Sequence, residues 1–302
     1  MKKAFAITIA ATLLLCGLFF WFIVKDEPLP SGIRYGPHER NLMDVYLPES
    51  ADGGPATVFL YIHGGGWMSG DKEAGRGWSD IILREGFALV SINYRFISTS
   101  GSSSVSCEDI LDDIHSAIGY LKNNADAYGI DVSGMAIGGY SAGGHLALLY
   151  SYSRESPIPV KLVVSEAGLT DFTNPELYSE GNSYLGGPSA AAAIANALAG
   201  TDYGLADLRD AGKDKPELKA ISPIYYVTQD NTGIPNTVLK HGAHDLMIPV
   251  SESSNLDEKL RTMGFTCILN ILANSGHVFE NDPETNEIFL QTVIGQLRLM
   301  SS

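Results

Sequence analysis

The sequence predicts an α/β fold, a mostly parallel central sheet with helices on both faces. Two observations carry this. Unbroken apolar runs of strand length recur, such as Thr57-Val58-Phe59-Leu60-Tyr61-Ile62 and Ala88-Leu89-Val90-Ser91-Ile92, the pattern of strands covered on both faces. Between the runs lie segments whose apolar residues recur at helical spacing, and alternating strands and helices build a parallel sheet. A third observation, 32 glycines in 302 residues, points to many tight turns.

The amino terminus stands apart from that pattern. Lys2 and Lys3 precede a run, Ala4 to Val24, without one charged residue. A spanning helix needs about 20 such residues. A signal peptide's apolar core is about 7–15 residues and ends in a small-residue cleavage site, which is not evident before Lys25-Asp26-Glu27. The expectation is therefore an uncleaved anchor and linker over residues 1–30, with Lys2 and Lys3 in the cytoplasm and the folded part outside. The alternative is secretion after cleavage. Residues 31–302 then form one domain, with attachment to the membrane through the amino-terminal segment only.

Taken in order, the elements are these. Residues 41–48 alternate and read as a strand. Thr57 to Ile62 is a buried strand that runs into His63-Gly64-Gly65-Gly66-Trp67. Arg76 to Glu85 is helical, and Ala88 to Ile92 is a strand. Asp109 to Leu121 carries Ile110, Ile114, Ala117, Ile118 and Leu121 on one helical stripe. Asp109, Asp112 and Asp113 lie in its first turns, where the helix dipole favours acids, and read as capping and surface charge. Met135 to Gly138 is the strand before Gly139-Tyr140-Ser141-Ala142-Gly143-Gly144, and Val160 to Ser165 the next. About 172–222 the pattern breaks, and the stretch reads as a cap-like insertion over the strand ends. Asn236 to Lys240 resumes the sheet, followed by a helix at Ser251–Met263, a strand at Cys267–Ile271 and a closing helix at Asn286–Leu297.

Composition narrows the function. The formal net charge of −15 argues against nucleic acid, which needs a basic footprint. The Cys and His residues show no metal-ligand spacing, and no cofactor is implied. Cys107 and Cys267 could pair in an oxidising compartment or stay buried and free. The oligomeric state is left open.

Chemistry concentrates at the strand ends. A G-x-S-x-G turn between strand and helix holds its serine in a strained, exposed conformation. Gly139 and Gly143 flank Ser141 where strand and helix nearly touch, so side chains there would collide. Three glycines after a buried strand leave backbone N–H groups free to meet a substrate oxygen. A serine hydroxyl is a weak nucleophile and needs a base, which needs an orienting acid. His277, in a loop after the last strand, is the expected base, ahead of His241 and His244. Asp245 is the expected acid, with Glu166 second. His63 is read as holding its loop and His145 as packing.

These residues carry a resemblance. His63-Gly64-Gly65-Gly66-Trp67, Gly139 to His145, Gly242-Ala243-His244-Asp245 and Gly276-His277 resemble the α/β-hydrolase fold esterases and lipases. The likeness is to hormone-sensitive-lipase-like carboxylesterases and bacterial feruloyl- and acetylxylan-esterase-like proteins, and it covers about 36–297. The first group usually has an acid before the serine. Tyr140 stands there here, which tilts the likeness to the bacterial branch. The resemblance implies a triad of Ser141, Asp245 and His277, an oxyanion hole from the N–H groups of Gly65, Gly66 and Ala142, and a small-molecule ester as substrate. Two other functions fit the same residues: an amidase, formamidase or peptidase with the same triad, and a catalytically inactive hydrolase fold that binds a ligand.

Overall fold

The computed structural model describes residues 31–49, 54–101 and 104–301. The expected anchor, 4–24, lies outside the described residues. Among those described, no helix is long and apolar enough to cross a membrane.

Eight strands form one sheet: β1 (Ile33–Arg34), β2 (Leu42–Tyr46), β3 (Ala56–Ile62), β4 (Ala88–Ile92), β5 (Ile130–Tyr140), β6 (Val160–Glu166), β7 (Asn236–Gly242) and β8 (Cys267–Leu272). Their order is β1-β2-β4-β3-β5-β6-β7-β8. The first two pairings are antiparallel and the rest parallel. From β3 the chain moves outward to β4, then returns to pair β5 on the other side of β3. That reversal leaves a crevice beyond the carboxyl ends of β3 and β5, the place where open α/β sheets bind ligands.

The longer helices are α1 (Arg76–Arg84), α2 (Cys107–Asn123), α3 (Ala142–Ser153), α4 (Pro188–Ala199), α5 (Ser251–Thr262) and α6 (Pro283–Ser301). They cover both faces because successive strand residues point opposite ways. Val58, Leu60 and Ile62 of β3 enter one core with Ile110, Ile114 and Ile118 of α2 and Leu146 of α3. Phe59 and Tyr61 enter the other with Trp78 and Ile82 of α1 and Phe289 and Val293 of α6. Helix α3 is buried from Ala142 through Tyr152, which explains why it is apolar on every side.

Helix α2 opens on a capping box. The N–H of Asp109 donates to Ser106 Oγ, and the N–H of Ser106 donates to Asp109 Oδ2 at 2.9 Å. Asp109 thus caps as expected, but Asp113 is not surface charge. It is 3% exposed, and both the backbone N–H and the Nε of Arg95 donate to it. Three residues past Ile110, it lies on the buried stripe, and Arg95 supplies the countercharge. Cys107 and Cys267 are both free and buried; one opens α2 and the other opens β8.

Residues 172–222 lie between β6 and β7 and contain α4 and short helices at Leu205–Arg209 and Pro216–Ala220. Pro188 at the first turn and Gly200 in the left-handed conformation (φ 67°) bracket α4, a start and stop that sequence signals favour. The sequence pattern over about 172–222 did not predict this helix.

Candidate active site

Ser141 sits at the apex between β5 and α3 with φ 55° and ψ −120°, a region where a non-glycine residue costs roughly 1–3 kcal/mol. The surroundings enforce it. A Cβ on Gly139 would lie 2.5 Å from Ile62 O, and one on Gly143 would lie 2.0 Å from the same atom. Only glycine allows β5 and α3 to approach β3 this closely. The N–H of Ser141 donates to Glu166 O at 2.7 Å, and Ser141 O accepts the first bond of α3, from His145, at 3.0 Å. The hydroxyl is thereby aimed into the crevice.

Ser141 Oγ lies 3.0 Å from His277 Nε2. On the far side of the ring, His277 Nδ1 lies 2.6 Å from Asp245 Oδ2. The carboxylate requires Nδ1 to carry the proton, which leaves Nε2 free to accept from the serine hydroxyl. Asp245 follows β7, and its Oδ1 accepts from the N–H groups of Met247 and Ile248 at 2.8 and 2.9 Å. Burial alone would push this carboxyl up. Hydrogen bonds from His241, His277 and Ile248 outweigh burial and hold it well below the usual carboxylate range. It therefore stays charged beside the imidazole.

The remaining candidates fall elsewhere. Glu166 pairs its side chain with Lys240 Nζ at 2.5 Å and meets the serine only through its carbonyl. His241 is buried with Nε2 3.2 Å from Asp245 Oδ2 and 3.0 Å from Ile248 O, while its Nδ1 faces the Ser253 hydroxyl at 2.7 Å. It supports the acid rather than the serine. His244 is exposed, and its backbone N–H ties its loop to Ser275 O.

The glycine loop after β3 lies against the serine turn. A Cβ on Gly64 would lie 3.4 Å from Ser141 Cβ and 2.9 Å from Tyr140 O. Gly65 and Gly66 have φ 114° and 61°, which turn the loop past the serine. The N–H of Ala142 belongs to the first turn of α3, where no intrahelical acceptor exists. Among the described residues, no backbone acceptor takes the N–H of Gly65, Gly66 or Ala142. His63 holds the loop from beneath. Its Nδ1 lies 2.7 Å from Gly64 O, and its ring stacks on Tyr94 at 4.3 Å. Burial pushes its pKa down to about 4.

One connection escaped the sequence reading. Trp67 Nε1–H donates to His145 Nδ1 at 3.1 Å, and His145 Nε2 lies 2.8 Å from Ile221 O. His145 thus joins the glycine loop, the helix after Ser141 and the end of the 172–222 segment. Burial pushes it down to about 4 as well. Tyr140 is a second. Its hydroxyl donates to His277 O at 3.0 Å, and its ring centroid lies 5.1 Å from the imidazole's. The residue preceding the serine thereby anchors the loop that carries His277. Neither link has a sequence signal, because each joins residues far apart in the chain.

The chain is 29% identical over 265 residues to Esterase LipQ of Mycobacterium tuberculosis, covering 83% of this chain and 57% of that protein. It is 26% identical over 297 residues to isoprenylcysteine alpha-carbonyl methylesterase ICME of Arabidopsis thaliana, covering 94% and 65%. The chain thus spans less than two thirds of the length of these relatives. Among solved structures, an inhibited Esterase B from Lactobacillus rhamnosis superposes with TM-score 0.70 at 19% identity, covering 99% and 98% of the two chains. A truncated carbohydrate esterase from gut microbiota gives 0.65 at 22% identity, covering 91% and 99%. These two share the α/β-hydrolase fold. The BD-FAE family model matches residues 43–260, well over half of the sequence, and the chain belongs to that family.

Proposed function

We propose that this protein hydrolyses carboxylic esters through an acyl-enzyme on Ser141. The observation that carries the reading is the unbroken chain Asp245–His277–Ser141, with contacts of 2.6 and 3.0 Å, ending on a strained serine. The esterase names of LipQ and ICME point the same way.

In the first half-reaction Ser141 Oγ attacks the ester carbonyl carbon, and its proton passes to His277 Nε2. The carbonyl oxygen becomes an anion that accepts hydrogen bonds from the N–H groups of Gly65, Gly66 and Ala142. Each such donor lowers the barrier by about 3 kcal/mol. Asp245 stabilises the imidazolium that forms. As the tetrahedral adduct collapses, the C–O bond to the alcohol breaks and the imidazolium protonates the departing oxygen. Water then repeats the sequence. His277 takes its proton, hydroxide adds to the acyl carbon, and Ser141 leaves with that proton as the acid is released. The folded part lies outside the cytoplasm in this reading, on the strength of the amino-terminal sequence.

The test is turnover of 4-nitrophenyl acetate by the wild type and Ser141→Ala. The expected outcome is a loss of kcat on the order of 10⁴-fold or more, with Ser141 alone labelled by a fluorophosphonate in peptide mass analysis. Full activity in Ser141→Ala would overturn the assignment.

A further inference from the structure

Arg40 belongs neither to the triad nor to the glycine loop. It lies just before β2, and its guanidinium reaches His63 and the far end of that loop. Nε donates to Tyr94 O at 2.8 Å, and Nη2 donates to Gly70 O at 3.1 Å. The same Nη2 lies 3.5 Å from His63 Nε2. The guanidinium carbon sits 3.6 Å from the centre of the Phe96 ring. Backbone carbonyls from two segments and an aromatic face thus fix the head group. Residues 35–41, which carry Arg40, are closed by the N–H of Tyr35 donating to Asn41 O at 3.0 Å.

The contact with His63 decides where the imidazole keeps its hydrogen. A guanidinium is always charged and carries only donors, so the nitrogen facing it, Nε2, is the bare acceptor. Nδ1 then holds the hydrogen, and it lies 2.7 Å from Gly64 O, which only accepts. Both contacts require the same neutral tautomer. A hydrogen on Nε2 would set one donor against another. Burial disfavours the imidazolium most, and the Arg40 charge adds to it.

Gly64 O belongs to the same peptide as the N–H of Gly65. That peptide is trans and planar, so its carbonyl and N–H point opposite ways. Holding Gly64 O on His63 therefore turns the Gly65 N–H away from His63, and no backbone acceptor among the described residues takes it. The fit beneath the peptide is close. A Cβ on Gly70 would lie 2.4 Å from both Gly64 O and His63 Nδ1.

We propose that Arg40 is a positioning residue for the ester reaction: through His63 it fixes the Gly64–Gly65 peptide, so that the Gly65 N–H is aimed before the substrate carbonyl arrives. The proposal rests on the hydrolase reading above, with Gly65 as an oxyanion donor. Without Arg40 the ring can carry its hydrogen on Nε2. The Nδ1 lone pair then faces Gly64 O, and the peptide rotates away from it.

Two measurements on the full chain test this. Proton–nitrogen correlation spectra of the wild type report which imidazole nitrogens carry hydrogen, and His63→Gln identifies the His63 signals by their loss. Hydrogen on Nδ1 and a bare Nε2 are expected. Hydrogen on Nε2 would overturn the proposal whether or not any variant folds. In Arg40→Met, which keeps an apolar stem and loses the donors, the His63 signals shift towards the Nε2–H form. Both half-reactions pass through the oxyanion, so kcat for 4-nitrophenyl acetate falls about tenfold or more while KM stays near its wild-type value. Affinity for trifluoroacetone, whose adduct on Ser141 carries the same anion, falls by a similar factor. A lower thermal midpoint with tautomer, kcat and inhibitor affinity unchanged would make Arg40 merely structural and overturn the proposal, as would a change confined to KM. Loss of turnover in Ser141→Ala tests the hydrolase reading by itself, so an unaffected Arg40→Met in an otherwise active enzyme overturns the Arg40 proposal alone.

Discussion

Tyr140 illustrates how one side chain can matter without touching substrate. It occupies the variable position of the serine turn, yet its hydroxyl holds the carbonyl of His277 and its ring lies beside the imidazole. Removing the hydroxyl breaks one hydrogen bond, worth about 1 kcal/mol, on the loop that carries His277. Tyr140→Phe is therefore expected to lower kcat about three- to tenfold with KM near its wild-type value. Steady-state kinetics check this, and a change confined to KM would contradict it. The same residue marks a limit of sequence reading. Asp245 and His277 were legible because their order and their strand-end positions follow a known chemical logic. The Tyr140 contact was not, because it spans 137 residues and depends on how the last loop folds back.

At the scale of elements, the glycine loop, α3 and the 172–222 segment meet at Trp67 and His145. The pair is buried and fully hydrogen-bonded. Trp67→Phe removes the indole donor and leaves His145 Nδ1 without its partner in the core, a penalty of about 1–3 kcal/mol before the smaller ring is counted. The expected outcome is a lower thermal midpoint and a lower kcat, because the loop that presents Gly65 and Gly66 loses its tether. Calorimetry and kinetics on one preparation check both. An unchanged midpoint would show that the bond is dispensable. Helix α2 was readable from its periodicity, but the burial of Asp113 was not. An acid near the start of a helix suits the helix dipole equally well, and only the approach of Arg95 makes the buried position tolerable.

For the whole molecule, buried histidines set the acid limit. His63 and His145 are both pushed down to about 4 by burial, from an ordinary value near 6.5. Above pH 6.5 neither state binds these protons, and their contribution to stability is complete. As pH falls from 6.5 towards 4, the unfolded chain takes up protons that the folded chain refuses, so stability falls with pH. Each histidine accounts for up to a few kcal/mol. Glu252, buried and pushed up, works in the opposite sense, since its contribution declines as pH rises through the carboxylate range. Urea midpoints at pH 7.5, 6 and 4.5 should therefore decline in that order. A midpoint independent of pH across this window would contradict the burial of both rings.

Short-range chemistry in the chain was enough for the alternation of strands and helices, the glycine-flanked serine and the order serine, acid, histidine. Each of these depends on neighbouring residues: on side-chain period, on the conformations open to glycine, and on what a weak nucleophile requires. Packing over long distances decided the rest. It turned His241 to Asp245 and Glu166 to Lys240, buried Asp113 on Arg95, left the two described cysteines apart, and joined Trp67 to His145. Most of these contacts join residues far apart in the chain, which no local period or turn signal encodes.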